Sequence, residues 1–149
     1  ANLRMGRAQS LAQLLQVAGA ERTSFYPNVE VTSKEFRLNI RPDARPEAGH
    51  YYRSDHFSLA RVGIPSFSIN EGMKFKGHPE SWGLDKEREY VEKHYHQPSD
   101  EFRPDMDFVG DSAMARFGFA LGWEAASLPK LIGWQKGDEF EAARLKTEK

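Results

Sequence analysis

The segment SDHFSLARVGIPSFSIN, residues 54 to 70, constrains the fold more than any other stretch. Ser54 stands where a helix N-cap belongs, Phe57, Leu59, Ala60 and Val62 give a short helix its apolar positions, and Gly63 marks its end. The run IPSFSIN follows at once and reads as a buried strand. A helix that hands over directly to a buried strand is the connection of a sheet with helices packed on it, so the order predicts an α/β fold.

The rest of the chain is read around this unit. Ser10 as N-cap, Leu11, Leu14, Leu15 and Ala18 at helical spacing, and Gly19 as a stop predict an amphipathic helix over 10–19. Strand character between Val29 and Ile40 predicts one strand, ended by Pro42, Pro46 and Gly49. From Asn70 to Lys93 the chain is rich in Gly, Lys and Glu and reads as a long loop. A long helix starts at Pro104 or Asp107, with Phe108, Ala115, Phe119, Gly122 and Ala126 along one face. Its small residues Ala115, Gly118 and Gly122 predict close approach to a sheet. In the tail, 129–149, Leu131, Ile132, Trp134 and Phe140 predict a docked first half and a frayed end. At 149 residues the expected whole is a single unit, 1–149.

Composition excludes several classes. Twenty-one basic and 22 acidic residues nearly cancel, without a like-charge run before the tail, which argues against nucleic acid as a partner. No apolar run approaches the roughly 20 residues of a membrane helix. With no cysteine, any metal is left to His, Asp and Glu. The opening ANLRMGRAQS has no apolar signal region and begins in mid-pattern, as a fragment would.

Two stretches carry candidate chemistry. In EKHYHQPSDEF, residues 92 to 102, an extended backbone would turn His94 and His96 to one face and Tyr95 to the other. Two imidazoles on one face make either a metal site or a polar patch, and spacing alone leaves both open. Asp100 is placed to orient an imidazole from behind. In YYRSDHF, residues 51 to 57, Ser54 capping a helix, Asp55 at its positive start and His56 on the surface would explain the order without any function. His50 and His78 sit in turn-like sequence and read as solvent-facing.

Taken together, YRSDHF with the following Ala and Gly-Ile-Pro, then YHQPSDE and a long helix, resemble the C-terminal half of the co-catalytic di-zinc aminopeptidase family. That family is related to glutamate carboxypeptidase, the transferrin receptor ectodomain and glutaminyl cyclase. The resemblance covers about residues 47 to 125. It implies a three-layer α/β/α zinc-peptidase-like fold, of which this chain would be the C-terminal part, a mixed sheet flanked by helices. By residue, it implies that His96 is the last zinc ligand, that His94 has no family role, and that Tyr95 bonds the oxyanion of the tetrahedral intermediate. Arg53 and Asp55 become walls of the site, and Trp82 part of the substrate-pocket rim.

The departures matter equally. The family takes its first ligands from His-x-Asp and its general base from Glu-Glu, and neither motif occurs here. The NLRM stretch echoes an Asn-x-Asp-Met ligand motif, but Arg4 holds the acidic position. The resemblance therefore implies an intact parent with two zinc ions that hydrolyses N-terminal peptide bonds. This chain alone would be inactive, with at most one weak metal site. Its expected partners are a peptide substrate and either the N-terminal part of the same catalytic domain or a second copy. Strand 64–69 would otherwise need a substitute neighbour from the N-terminal region. A secreted or periplasmic location follows from the resemblance alone. The alternatives are a non-catalytic binding module of the transferrin-receptor type, which His96 beside Tyr95 disfavours, and a glutaminyl cyclase-like enzyme, which would carry Trp in place of Tyr95.

Overall fold

The computed structural model describes residues 11–42, 49–104 and 106–147. In chain order the elements are β1 (Leu14–Ala18), α1 (Tyr26–Glu35), β2 (Asn39–Arg41), α2 (His56–Arg61), β3 (Ser68–Glu71), α3 (Trp82–Lys93), α4 (Val109–Ser127) and α5 (Glu141–Thr147). Short 3-10 turns at Ala20–Arg22 and His50–Arg53 precede α1 and α2. The strands form a mixed sheet in the order β2-β1-β3, with β2 parallel and β3 antiparallel to β1. The architecture is the expected mixed sheet with helices packed on it, and β3 takes its neighbour from the N-terminal region.

Register sorts the side chains. Leu15 lies opposite Ile40, and Val17 opposite Ile69, so these residues share one face. That face packs against Phe25 and Val29 at α1 and Phe117 and Leu121 of α4. Each of these large side chains contributes about 1.5–3 kcal/mol by leaving water. On the other face Leu14 lies opposite Asn39, and Gln16 opposite Arg41 and Asn70. The sheet therefore has an apolar, helix-covered side and a polar side.

A second cluster joins Tyr51, Ala60, Trp134 and Phe140, with Phe57 against it. Here the tail docks. Trp134 Nε1 donates to the Gly63 carbonyl at 2.9 Å, Gln135 N to Arg22 O at 2.7 Å, and Arg22 reaches Asp138 at 2.7 Å. Gly63 has φ +87, and a Cβ there would run into the backbone of Ala143 and Arg144, so glycine both ends α2 and admits α5. Ile132 packs against the first cluster and Trp134 and Phe140 lie in the second, whereas Leu131 is exposed.

Five predicted elements differ. The strand read over 64–70 begins only at Ser68 and runs to Glu71, partly exposed rather than buried, with Ile64 exposed; Pro65 has no N–H to give a sheet ladder. Residues 14–18 form a strand, because pairing on both sides of β1 outweighs the helical spacing of its leucines; Ser10 lies outside the described residues. Most of the predicted strand from Val29 is helix α1, where Pro27 fits the first turn and Val29, Thr32 and Ser33 are buried at helical spacing; only 39–41 is strand. The predicted loop 70–93 contains helix α3, whose charged residues are good helix formers linked as Lys86–Glu89 and Glu89–Lys93 pairs. The long helix is present, and Asp107 bonds the Val109 N–H at its start. It turns a different face inward: Gly110, Phe117 and Leu121 are buried, Phe119 is 73 % exposed, and Gly118 and Gly122 face open space. Two stripes of this helix are apolar: Phe117 and Leu121 take the core, whereas Phe119 and Trp123 stay exposed and stack on each other.

Candidate active site

The segment from His50 to His56 is anchored from behind. Tyr51 is buried; its hydroxyl donates to Ser66 O at 3.0 Å, and Ser66 Oγ in turn donates to His56 O at 2.7 Å. The Tyr51 ring lies where a Cβ of Gly19 would be, and Gly19 with φ +95 is what leaves that space. Arg22 stacks 5.0 Å from the Tyr51 ring and 4.8 Å from Phe140, and bonds Asp138 and Glu139. Burial opposes the Arg22 charge, but the bonds to Asp138 and Glu139 outweigh it and hold its pKa above the ordinary arginine value. Tyr51 titrates above an ordinary tyrosine because it is buried.

On this support Arg53 and Asp55 are exposed, and neither forms an ion pair among the described residues. Ser54 does not cap α2 with its side chain: its hydroxyl bonds back to His50 O at 3.3 Å, and Asp55 holds the N-cap position. His56 is half-buried rather than a surface residue. Its Nε2 is out of contact with solvent and without a hydrogen-bond partner among the described residues. Burial lowers its pKa below the ordinary 6.5, although Asp55 and a backbone bond at Tyr51 work the other way.

The second segment hangs from α3. Trp82, at the first position of the helix, stacks on His78 with ring centres 4.0 Å apart and meets Phe75 edge-on at 5.1 Å. At the other end Tyr90 is the hub. Its carbonyl accepts the N–H groups of His94 and Tyr95, both at 2.9 Å, and its buried hydroxyl donates to Asp100 at 2.7 Å. The chain leaves the helix as a turn instead of an extended strand, and His96 adopts the left-handed conformation with φ +58. The expected alternation of His94, Tyr95 and His96 along a strand is therefore replaced by turn geometry. Asp100 binds Tyr90, not an imidazole.

His94 is held more firmly than its neighbour. Ser99 Oγ donates its only proton to Lys93 O at 2.8 Å, so at 3.1 Å the neutral His94 ring must donate from Nδ1 to Ser99, which leaves the lone pair on Nε2. His96 is exposed, with its ring 4.1 Å from that of Tyr95 at 74°. Among the described residues no hydrogen bond, ion pair or ring contact joins Tyr95 and His96 to Arg53 and Asp55. Nor does any group of three or more His, Asp or Glu come close enough to hold a metal. The described residues of this chain thus do not make up a zinc site of three or four ligands.

Tyr90, Ser99, Tyr51 and Arg22, which build both segments, were not singled out in the sequence. Their partners lie up to 117 residues away, as with Arg22 and Glu139, or require α3 to be recognised first.

The combination of a mixed sheet, an Arg-Ser-Asp-His turn and a Tyr-His turn between two helices is compatible with an α/β peptidase. The model of peptidase family M28 matches residues 1–117, and the chain belongs to that family. Membership places it among peptidases, which are hydrolases. The match takes in the first 46 residues, which the two motifs did not reach, and ends within α4. No curated protein and no solved structure matches the chain. Among the described residues no helix is long and apolar enough to cross a membrane.

Proposed function

We propose that this chain is the C-terminal part of a zinc-dependent aminopeptidase in which His96 supplies one zinc ligand and Tyr95 a hydrogen bond to the tetrahedral intermediate. The observation that carries the reading is the Tyr95–His96 turn in a chain matched by peptidase family M28. It sets an exposed imidazole at the end of α3, in a backbone conformation that non-glycine residues adopt at a cost of order 1 kcal/mol or more. Strain of that kind gathers at functional positions. When bound, zinc would lower the pKa of a water to about 7 and make hydroxide available. The general base and the other ligands would come from the N-terminal part of the same catalytic domain, the proposed partner of this chain. Arg53, Asp55 and Trp82 are proposed as residues around the substrate, and a peptide with a free N-terminus as that substrate.

The test uses the intact protein. His96→Ala is expected to lose most of the turnover and to weaken one zinc, whereas His94→Ala, which removes the bond to Ser99 and the ring contact with Tyr90, stays active. Zinc content and turnover of both variants decide the assignment. Equal losses would mean that the family alignment of this motif is wrong.

A further inference from the structure

Two adjoining pockets that share Gln13 and Arg37 open at the start of β1 and β2, and we treat them as the two lobes of one groove. Tyr51, by contrast, rests on Gly19 just past the other end of β1, so the groove is distinct from the Arg53–Asp55 segment. One lobe, of about 400 Å³, is apolar and lies between Leu11, Phe36, Leu38 and Met114, with Lys76 at its edge. The other, of about 640 Å³, is polar and basic, with Arg41, Lys74, Asn39 and one carboxylate, Glu80. Gln13 and Arg37 belong to both lobes and form their common wall. Among the described residues, Arg37, Arg41, Lys74 and Lys76 make no ion pair.

Arg37 carries a second, independent signal. Helix α1 ends in a Schellman motif: Arg37 N bonds Lys34 O at 3.0 Å and Leu38 N bonds Ser33 O at 2.8 Å, with Arg37 at φ +57 in the left-handed position. Glycine is the residue that fits there without strain. An arginine at that point gives up stability and gains a guanidinium on the wall between an apolar lobe and a basic one. A guanidinium fork matches a carboxylate.

We propose that this groove binds the C-terminal end of an acidic peptide. The terminal carboxylate lies on Arg37, an apolar last side chain fills the lobe between Phe36, Leu38 and Met114, and preceding acidic residues meet Arg41 and Lys74. Among the described lining residues, the three cations of the basic lobe against one carboxylate, Glu80, favour more than one negative charge on the ligand. Gln13 and Asn39 offer amide groups to its backbone.

Calorimetry with the full chain and the peptide acetyl-Glu-Glu-Leu tests this. Binding is expected, weakened by salt, and reduced at least about tenfold when the peptide's C-terminus is amidated, because a charge-assisted bond is lost. Replacing the last residue by serine weakens it through the apolar lobe. Arg37→Gly is expected to abolish binding while raising Tm, since glycine relieves the left-handed position; this separates the site from simple loss of fold. Lys74→Glu should weaken binding with Tm unchanged. Absence of binding, equal affinity of the amidated peptide, unchanged affinity of Arg37→Gly, or tighter binding of decanoate than of the peptide would each overturn the proposal.

Discussion

The two segments that carry family motifs are built in opposite ways. The Arg53–His56 segment is held by distant parts of the chain: Tyr51 on Ser66 and Gly19, Arg22 beneath it, and the tail residues Trp134, Asp138 and Phe140 behind. The His94–Asp100 turn is held within ten residues of itself, by Tyr90 to Asp100, Ser99 to Lys93 and His94 to Ser99. One is a product of tertiary packing, and the other of local sequence. A site that draws on both has one wall fixed by the whole fold and one presented on a compact turn at a helix end. Perturbing the tail should therefore disturb Arg53 and Asp55 and leave the shape of the His94–Asp100 turn alone.

The strongest way to break this contrast is Trp134→Ala. It removes a buried ring and its bond to Gly63, and it should cost about 3–5 kcal/mol in urea or guanidinium unfolding. Hydrogen exchange should rise around Tyr51 to Ala60, with the amides of His94 and Tyr95 protected as before under native conditions. A loss spread equally over both segments would show that they form one cooperative unit.

Tyr90→Phe probes the other side. It removes the hydroxyl bond to the Asp100 carboxylate, so about 1.5–3 kcal/mol of stability is at stake. The backbone bonds from His94 and Tyr95 to Tyr90 O persist, and exchange should rise at Asp100, the far end of the turn. Increased exchange around Tyr51 would contradict the local character of this segment.

The smallest expected effect is a pH dependence confined to the packed segment. His56 has its folded-state pKa lowered by burial, so the unfolded chain binds the proton more readily. Its stabilising contribution is complete above about 6.5, falls as the pH drops from 6.5 toward the lowered value, and is constant below it. Unfolding of wild type and His56→Gln across that window should converge toward low pH. Parallel curves would remove His56 from the linkage.

The same contrast explains what could be read in advance. The order of α2, Gly63 and β3 was legible because its apolar positions and stop are consecutive, although the strand starts at Ser68 rather than Ile64 and is partly exposed, and the long helix was legible because Asp107 and its apolar positions are likewise local. Strand β1 was hidden, since Leu11, Leu14, Leu15 and Ala18 suit a helix until β2 and β3 are paired beside them. Helix α1 was masked by β-branched Val29, Val31 and Thr32, and α3 by its shortage of apolar residues. At the candidate site the motif residues were legible, but their supports were not. Tyr51 acts through Ser66, and Arg22 through Asp138, pairings that no local pattern announces.

The central claim is that this chain holds one ligand of a zinc site that the rest of the parent domain completes. Sedimentation of the purified chain together with zinc analysis and an aminoacyl substrate addresses it directly. The expected result is no peptidase activity, and at most one weakly held zinc that is lost on dialysis. A stable monomer that retains two zinc ions and cleaves the substrate would contradict the account.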